Sequence, residues 1–95
     1  MRLEKWLWQA RFYQSRRQAA EIIAEGHIRI NGRPTMKASA PIGTGDTLTL
    51  LQEGVVRLIR VQILGKRRGP SYEALTLYTD LDVERIRAAT PSPLE

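Results

Sequence analysis

The sequence contains no cysteine, and its single histidine is His27. A disulfide framework and a cysteine-ligated metal site are therefore excluded, and a reducing, cytoplasmic environment is expected. His27 has no Cys, His or carboxylate partner at the spacing of metal ligands. We therefore expect a surface histidine and a protein without metal or cofactor.

Long apolar runs are also missing. None approaches the roughly 18 residues that a membrane-spanning helix needs, and Arg2, Glu4 and Lys5 interrupt any apolar segment at the N-terminus, so we expect neither a membrane span nor a signal peptide. No carboxylate pair, Cys nucleophile or Ser-His-Asp set stands out, and 95 residues leave little room for a deep catalytic cleft. The sequence favours a protein that is not an enzyme.

Basic residues are concentrated in the first third of the chain. Residues 2–37 contain eight Lys and Arg and three acidic residues, a balance of +5 that equals the formal net charge of the whole chain. From residue 38 onward, seven basic and seven acidic residues cancel. A one-sided charge distribution of this kind indicates an anionic partner, most often nucleic acid.

Two amphipathic helices are predicted at the start of the chain. The first, over residues 2–12, has one apolar stripe at helical spacing. The stripe consists of Leu3, Trp6, Leu7 and Ala10. We expect Arg2, Lys5 and Gln9 on the opposite, basic face, and Trp8 as a partly buried neighbour of the core rather than a residue that stacks on a base.

The second helix is predicted to begin at Ser15, where Ser15 and Gln18 fit a capping box, and to end at Gly26. Arg16 and Arg17 occupy its first turn, where the helix dipole disfavours basic side chains by up to ~1 kcal/mol each. We infer that this pair has no structural use and that, with the free N–H groups of the turn, it binds a phosphate. The alternative is a solvated, charged turn.

A β-hairpin is predicted next. Asn31-Gly32 is the preferred pair for a two-residue type I′ turn between a strand with Ile28 and Ile30 inward and a return strand. Pro34 makes the return strand an edge strand or a bulge.

Three further strands are predicted in the second half, over residues 47–51, 55–64 and 73–78. Their inward-facing residues are expected to be Leu48, Leu50, Ile59, Val61, Ile63, Leu75 and Leu77. The loop over residues 65–70 carries three basic residues, for which a nucleic-acid role and simple solvation are equally favoured. Asp82 is predicted to cap a last helix over residues 83–89.

These elements predict one α+β domain over residues 1–90, with a core motif at 2–50 and a β extension at 51–90. Two N-terminal helices pack on a small, mostly antiparallel sheet of about five strands, and a short C-terminal helix follows. We expect a disordered tail at residues 91–95, where Leu94-Glu95 is typical of a cloning scar, with native sequence missing beyond Pro93.

Residues 2–50 contain a series of short motifs in unbroken order. They are Arg2-Leu3-Glu4-Lys5-Trp6-Leu7, Arg11, Ser15-Arg16, Ala19, Ile22, Gly26, Ile28, Ile30-Asn31-Gly32, Lys37-Ala38-Ser39 and Gly45-Asp46-Thr47-Leu48. This series resembles the RNA-binding domain of ribosomal small-subunit protein four. This resemblance implies the α-L fold, with RNA bound on the face made by the helix pair and the hairpin. The second half, with LGKRRGP, is similar to single-domain bacterial members, the ribosome-associated fifteen-kilodalton heat-shock proteins. That similarity implies a cytoplasmic stress-response role on stalled large ribosomal subunits that hold peptidyl-tRNA.

The resemblance also implies which side chains face RNA. Carried over by position, they are Arg2, Lys5, Arg11, Ser15, Arg16, Arg17, Asn31, Arg33, Lys37 and Ser39, to which the loop adds Lys66, Arg67 and Arg68 as candidates. The expected partner is ribosomal RNA, and the expected state is a monomer. Two other hypotheses for binding stay open at this point: a helix-turn-helix protein that binds DNA, and a module that binds an acidic protein.

Overall fold

The order of elements places two helices before a hairpin and three more strands, as the α+β hypothesis requires. The computed structural model describes residues 1–82, so the predicted helix at 83–89 and the tail at 91–95 lie outside the described residues. The elements are α1 (Leu3–Gln9), α2 (Arg16–Ala24), β1 (Ile28–Ile30), β2 (Arg33–Thr35), β3 (Thr47–Gln52), β4 (Val55–Val61), α3 (Ser71–Ala74) and β5 (Tyr78–Asp80). The five strands form one sheet in the order β2-β1-β3-β4-β5, and every pairing is antiparallel.

Helix α1 has the predicted apolar stripe, but it ends earlier than the pattern indicates. Leu3, Trp6, Leu7 and Ala10 are all buried. The helix stops at Gln9 because Arg11 takes a left-handed conformation, with φ of 61°, which turns Phe12 into the core.

Helix α2 begins and ends where the sequence predicts. The Ser15 Oγ accepts the Gln18 N–H at 3.0 Å, and Gly26 follows the helix with φ of +85°. The Gln18 side chain reaches back to the N–H of Gln14 at 2.9 Å, one residue before the position that a capping box specifies.

The predicted hairpin turn is confirmed, and so is the position of the return strand at the edge of the sheet. Asn31 and Gly32 have φ of 51° and 82°, the two positive values that a type I′ turn requires. Strand β2, which contains Pro34, pairs only with β1 among the described strands, so the missing N–H of the proline breaks no ladder.

The core lies between the two N-terminal helices and one face of the sheet. Fully buried side chains come from both helices and from β1, β3 and β4. They include Leu3, Trp6, Leu7, Ala19, Ile23, Ile28, Leu48, Leu50, Ile59 and Val61. The indole N–H of Trp6 donates to the Ile63 carbonyl at 2.9 Å, which ties α1 to the stretch after β4.

The prediction that Ile63 faces inward is wrong. Strand β4 ends at Val61, and the N–H groups of Gln62 and Ile63 both donate to the Leu77 carbonyl, at 2.8 and 3.2 Å. Two successive residues that share one acceptor shift the in–out alternation, as in a β-bulge. Ile63 is therefore 50% exposed, and Leu64 packs against the core in its place.

The strand predicted at residues 73–78 is also wrong. Residues 71–74 form the short helix α3, because the Pro70 carbonyl accepts the N–H groups of both Glu73 and Ala74. This turn leaves Leu75 65% exposed while Leu77 is buried, and the fifth strand starts only at Tyr78. Farther on, the Asp82 carboxylate accepts the Leu58 N–H at 2.7 Å.

Candidate nucleic-acid interface

Two basic side chains, one from the start of each helix, converge on one acidic residue. Glu4 lies on α1 with its side chain 7% exposed, and its Oε1 accepts from Arg2 Nε at 3.0 Å and from Arg16 Nη2 at 2.9 Å. The start of α2 is therefore held beside the start of α1. The expectation that the Arg16-Arg17 pair has no structural use is wrong for Arg16, because its guanidinium neutralises a buried carboxylate.

The ionisation of Glu4 reflects this arrangement. Burial opposes its negative charge, but the hydrogen bond from Arg16 and the charges of Arg2 and Arg16 outweigh burial. The pKa of Glu4 consequently lies below its ordinary value, so the carboxylate stays charged at neutral pH and keeps both guanidinium groups in place.

The first turn of α2 still offers free hydrogen-bond donors. The backbone N–H groups of Arg16 and Arg17 bond to no acceptor among the described residues, since the Ser15 hydroxyl caps only Gln18. Arg17 is 90% exposed and touches Glu21 at 3.3 Å, a solvated pair that adds little stability. Lys5 is half-buried on α1 and makes no ion pair with a described residue. We name Arg2, Lys5, Arg16 and Arg17 the helix-pair face.

Lys37 and Ser39 are brought to the same end of α1 by the backbone. The carbonyls of Ala38 and Ala40 accept the N–H groups of Glu4 and Leu3, at 3.1 and 2.9 Å. These bonds satisfy the first two backbone donors of α1. They also place exposed Lys37 and half-buried Ser39 on the segment that borders the helix-pair face.

At the tip of the hairpin, the Asn31 side chain makes its hydrogen bonds within the fold. Asn31 donates from Nδ2 to the Asp46 carboxylate at 3.1 Å, and its Oδ1 accepts the Thr47 N–H at 2.9 Å. Both ends of this amide are thus used to hold the hairpin against the turn before β3. Arg33 is exposed on β2, and no described hydrogen bond joins it to the helix-pair face.

The loop over residues 65–70 is fastened to the far end of α1. Arg11 Nε donates to the Gly69 carbonyl at 2.8 Å, and Arg68 Nε donates to the Trp8 carbonyl at 3.1 Å with its guanidinium 5.7 Å from the centre of the Trp8 ring. Arg67 pairs with Glu73 at 2.9 Å, whereas Lys66 is exposed. Because α1, roughly 10 Å long, lies between this loop and Arg2, the basic residues of the loop form a group apart from the helix-pair face.

Sequence reasoning missed three features of this surface. It did not identify Glu4 as the shared partner of Arg2 and Arg16, although an acid between two bases at the edge of an apolar stripe is a usable signal. It did not pair Arg68 with Trp8, which is half-buried as expected. It also placed Gln9 on the exposed face, and this was wrong because the stretch at Gly65 covers that side chain.

The described residues hold few groups suited to other chemistry. His27 is exposed and lies 3.2 Å from the Glu25 carboxylate. Within residues 1–82, no three His, Cys, Asp or Glu side chains are grouped so that they could hold a metal ion. No helix in the same range is long and apolar enough to cross a membrane.

Comparison with known proteins assigns a family to this fold and surface. A family model described as the S4 domain matches residues 1–48, which include α1, α2, the hairpin and the first residues of β3. The chain belongs to the S4 domain family.

Three similar proteins extend the comparison beyond the S4 domain. Heat shock protein 15 of Escherichia coli K12 is 40% identical over 80 residues, 84% of this chain and 59% of that protein, so the chain spans about three fifths of its length. The RQC P-site tRNA stabilizing factor of Bacillus subtilis is 35% identical over 86 residues, 90% of this chain and 98% of that protein. The trimeric structure of Heat Shock Protein 15 from Vibrio cholerae superposes with a TM-score of 0.82 at 32% identity, covering 100% of this chain and 98% of that one.

Proposed function

We propose that this protein binds structured ribosomal RNA without catalysing a reaction, and that the helix-pair face with Lys37 contacts the RNA phosphates. The observation that carries the proposal is the convergence of Arg2 and Arg16 on Glu4, beside two N–H groups at the start of α2 that bond to no acceptor within residues 1–82. Fixed guanidinium groups next to free N–H groups are suited to phosphate oxygens. Contacts of this kind position a protein on an RNA backbone and read its shape.

The remaining predicted RNA-facing residues have different proposed tasks. We infer that Ser15, Asn31, Arg11 and Arg68 act by holding the binding elements in place, because each already uses its side chain within the fold. Ser39 would add a contact at the border of the helix-pair face, and Arg33, Lys66 and Arg67 would add contacts elsewhere on the RNA.

We further propose that the ribosome is the partner, specifically a large subunit that still holds peptidyl-tRNA. The B. subtilis relative, of which this chain covers 98%, is named for stabilising the tRNA of the P site, which is a ribosomal site. This similarity supports a ribosomal partner more than an isolated RNA.

A helix-turn-helix protein that binds DNA is the second candidate, and the exposed side of α2 argues against it. Glu21 and Glu25 are exposed along that helix, and Glu21 partly neutralises Arg17. A recognition helix lies in the major groove and would bring both carboxylates against the DNA, whereas contact through the first turn of α2 needs only the start of the helix to approach the RNA.

Competition between structured RNA and duplex DNA of equal length, at equal salt, tests the proposal. We expect the RNA to displace labelled RNA at concentrations at which the duplex DNA does not. Equal binding of DNA and RNA in this competition would contradict the proposal. Cosedimentation with stalled and empty large subunits then tests whether the ribosome is the partner. Sedimentation of the free protein tests the proposed monomer, since the V. cholerae relative was solved as a trimer.

A further inference from the structure

A pocket lies between the end of α1, the stretch that follows β4, and α3. Its volume is about 330 Å³, and its lining includes Gln9, Ile63, Lys66, Arg67, Ala74 and Leu77. That volume is at the lower end of the range for pockets that hold small organic ligands. It lies beside the loop that Arg11 and Arg68 fasten to α1, and so apart from the helix-pair face.

Gln9 is the unusual residue of this pocket. Its side chain is 1% exposed, yet neither Oε1 nor Nε2 has a hydrogen-bond partner among the described residues. Leaving both ends of a buried amide unpaired is unfavourable, and native proteins seldom do so. The amide therefore has a donor and an acceptor that no described residue uses, and a ligand could pair with both.

Gly65 closes the pocket over this amide. A Cβ on Gly65 would lie 2.9 Å from Gln9 Oε1, so a larger residue here would require the Gln9 side chain to move. Because glycine has no side chain, only the backbone at Gly65 stands between this amide and a ligand in the pocket.

The rest of the pocket specifies the chemistry of that ligand. Ile63, Ala74 and Leu77 provide apolar walls, and Ile63 is half exposed in the free protein. Lys66 and Arg67 are exposed basic side chains of the same lining, which also includes Glu73, the partner of Arg67 at 2.9 Å, so Lys66 is the cation of the lining without an ion pair among the described residues. A flat, apolar ring with a donor–acceptor edge and an attached phosphate satisfies all three features.

We propose that this pocket receives one unpaired nucleobase of bound RNA, with the base edge on the Gln9 amide and its phosphate near Lys66 and Arg67. Unpaired bases of loops and bulges are the usual targets of base-specific RNA recognition. The inference rests on the proposed RNA binding and adds selectivity for RNA with an unpaired base. An aliphatic peptide side chain fits less well, because it would leave the amide unpaired.

Two-dimensional NMR of the full chain tests the pocket directly. Titration with the four nucleoside monophosphates is expected to shift the Gln9 side-chain amide and the Gly65 N–H, whereas ribose 5-phosphate is expected to shift only the Lys66 and Arg67 signals. Shifts of the Gln9 amide by a leucine-rich peptide but by no nucleotide would overturn the proposal, and so would an unchanged Gln9 signal in every titration.

The Gln9→Met variant shows whether the Gln9 amide serves to bind a ligand or to stabilise the fold. Methionine keeps the length of the side chain and removes the unpaired amide, so we expect the melting temperature to rise by ~4 °C. The same variant is expected to bind an RNA with an unpaired loop about tenfold more weakly, and a fully paired RNA as tightly as the wild type does.

The two RNAs also separate this inference from the proposed function. If Gln9→Met binds both RNAs like the wild type, the base pocket is wrong while RNA binding stands. If the wild type binds neither RNA, both the pocket and the proposed function are wrong.

Discussion

Arg16 Nη2 lies 2.9 Å from Glu4 Oε1, so the first turn of α2 is paired with a carboxylate that α1 buries. A second guanidinium, that of Arg2, approaches the same oxygen at 3.0 Å. The pair of helices thus presents two oriented guanidinium groups to solvent, and both are held by the buried Glu4 carboxylate. Binding and stability are coupled at Arg16, and variants must be chosen so that the two effects separate.

The coupling between Glu4 and Arg16 can be measured with a double-mutant cycle. Arg16→Gln is expected to destabilise the wild type by about 1 kcal/mol more than it destabilises Glu4→Gln, because only the wild type retains a buried carboxylate that needs a partner. Urea denaturation of the four proteins gives the coupling energy. Equal effects of Arg16→Gln in both backgrounds would show that the contact contributes nothing to stability.

The same carboxylate predicts a dependence of stability on acid. The pKa of Glu4 is lower in the folded protein than in the unfolded chain. The charged carboxylate therefore contributes to stability at pH values above the unfolded pKa, and this contribution is lost as pH falls through the folded pKa. The stability difference between wild type and Glu4→Gln is therefore expected to shrink below about pH 4.3. Urea denaturation at pH 3, 4, 5 and 7 checks this, and a difference that does not change with pH contradicts it.

Tyr13 predicts a loss of stability in alkali. Burial raises the pKa of Tyr13 to about 12, and its hydroxyl donates to the Leu51 carbonyl. Because the pKa of Tyr13 is higher in the folded protein, its protonated hydroxyl contributes fully to stability below the pKa of the unfolded chain, about 10. This contribution is lost as pH rises toward the pKa of the folded protein. Tyr13→Phe lacks this titration. The amount by which its free energy of unfolding falls short of the wild-type value is therefore expected to diminish by about 2 kcal/mol over that range. Parallel guanidinium titrations from pH 9 to 12 measure it, and parallel stability curves would contradict the assignment.

The fastening of the loop over residues 65–70 predicts local protection from hydrogen exchange. Arg68→Gln removes both the Trp8 carbonyl contact and the cation–π contact, at a cost of about 1 kcal/mol. We expect faster exchange of the loop amides and greater quenching of Trp8 fluorescence by acrylamide. Arg67→Gln, which breaks only an exposed ion pair, is the matched control. Identical exchange in the two variants would contradict the role of Arg68.

The parts of the fold that the sequence predicts are those determined by local chemistry. The Ser15 cap, the Asn31-Gly32 turn and the stripe of α1 each depend on neighbours within a few residues. The exposure of Ile63 depends instead on the shared Leu77 carbonyl, a contact between distant parts of the chain. Propensity and periodicity carry no information about such contacts.

The candidate site shows the same division. Charge counting finds the basic residues, and the first turn of α2 stands out because arginines are unfavourable there. It does not reveal that Glu4 holds Arg2 and Arg16, nor that Arg11 and Arg68 bond to backbone carbonyls. Gln9 is buried by a loop more than fifty residues away in sequence, which no helical wheel of α1 indicates.

Side chains of the helix-pair face and Lys37 are proposed to neutralise RNA phosphates. The salt dependence of binding to a structured RNA measures how many phosphates they neutralise. Five contacts, from Arg2, Lys5, Arg16, Arg17 and Lys37, predict that log affinity falls with log salt at a slope of about −3.5 to −4.5. Arg17→Gln, at an exposed position, is expected to make that slope shallower by about 0.7 to 0.9 and leave the fold unchanged.

Arg60→Gln is the matched control, because Arg60 is exposed on β4 between the buried Ile59 and Val61 and therefore faces away from the helices. We expect the wild-type slope for Arg60→Gln and the shallower slope for Arg17→Gln. Equal slopes for the two variants, or a wild-type slope near zero, would contradict the proposed phosphate contacts.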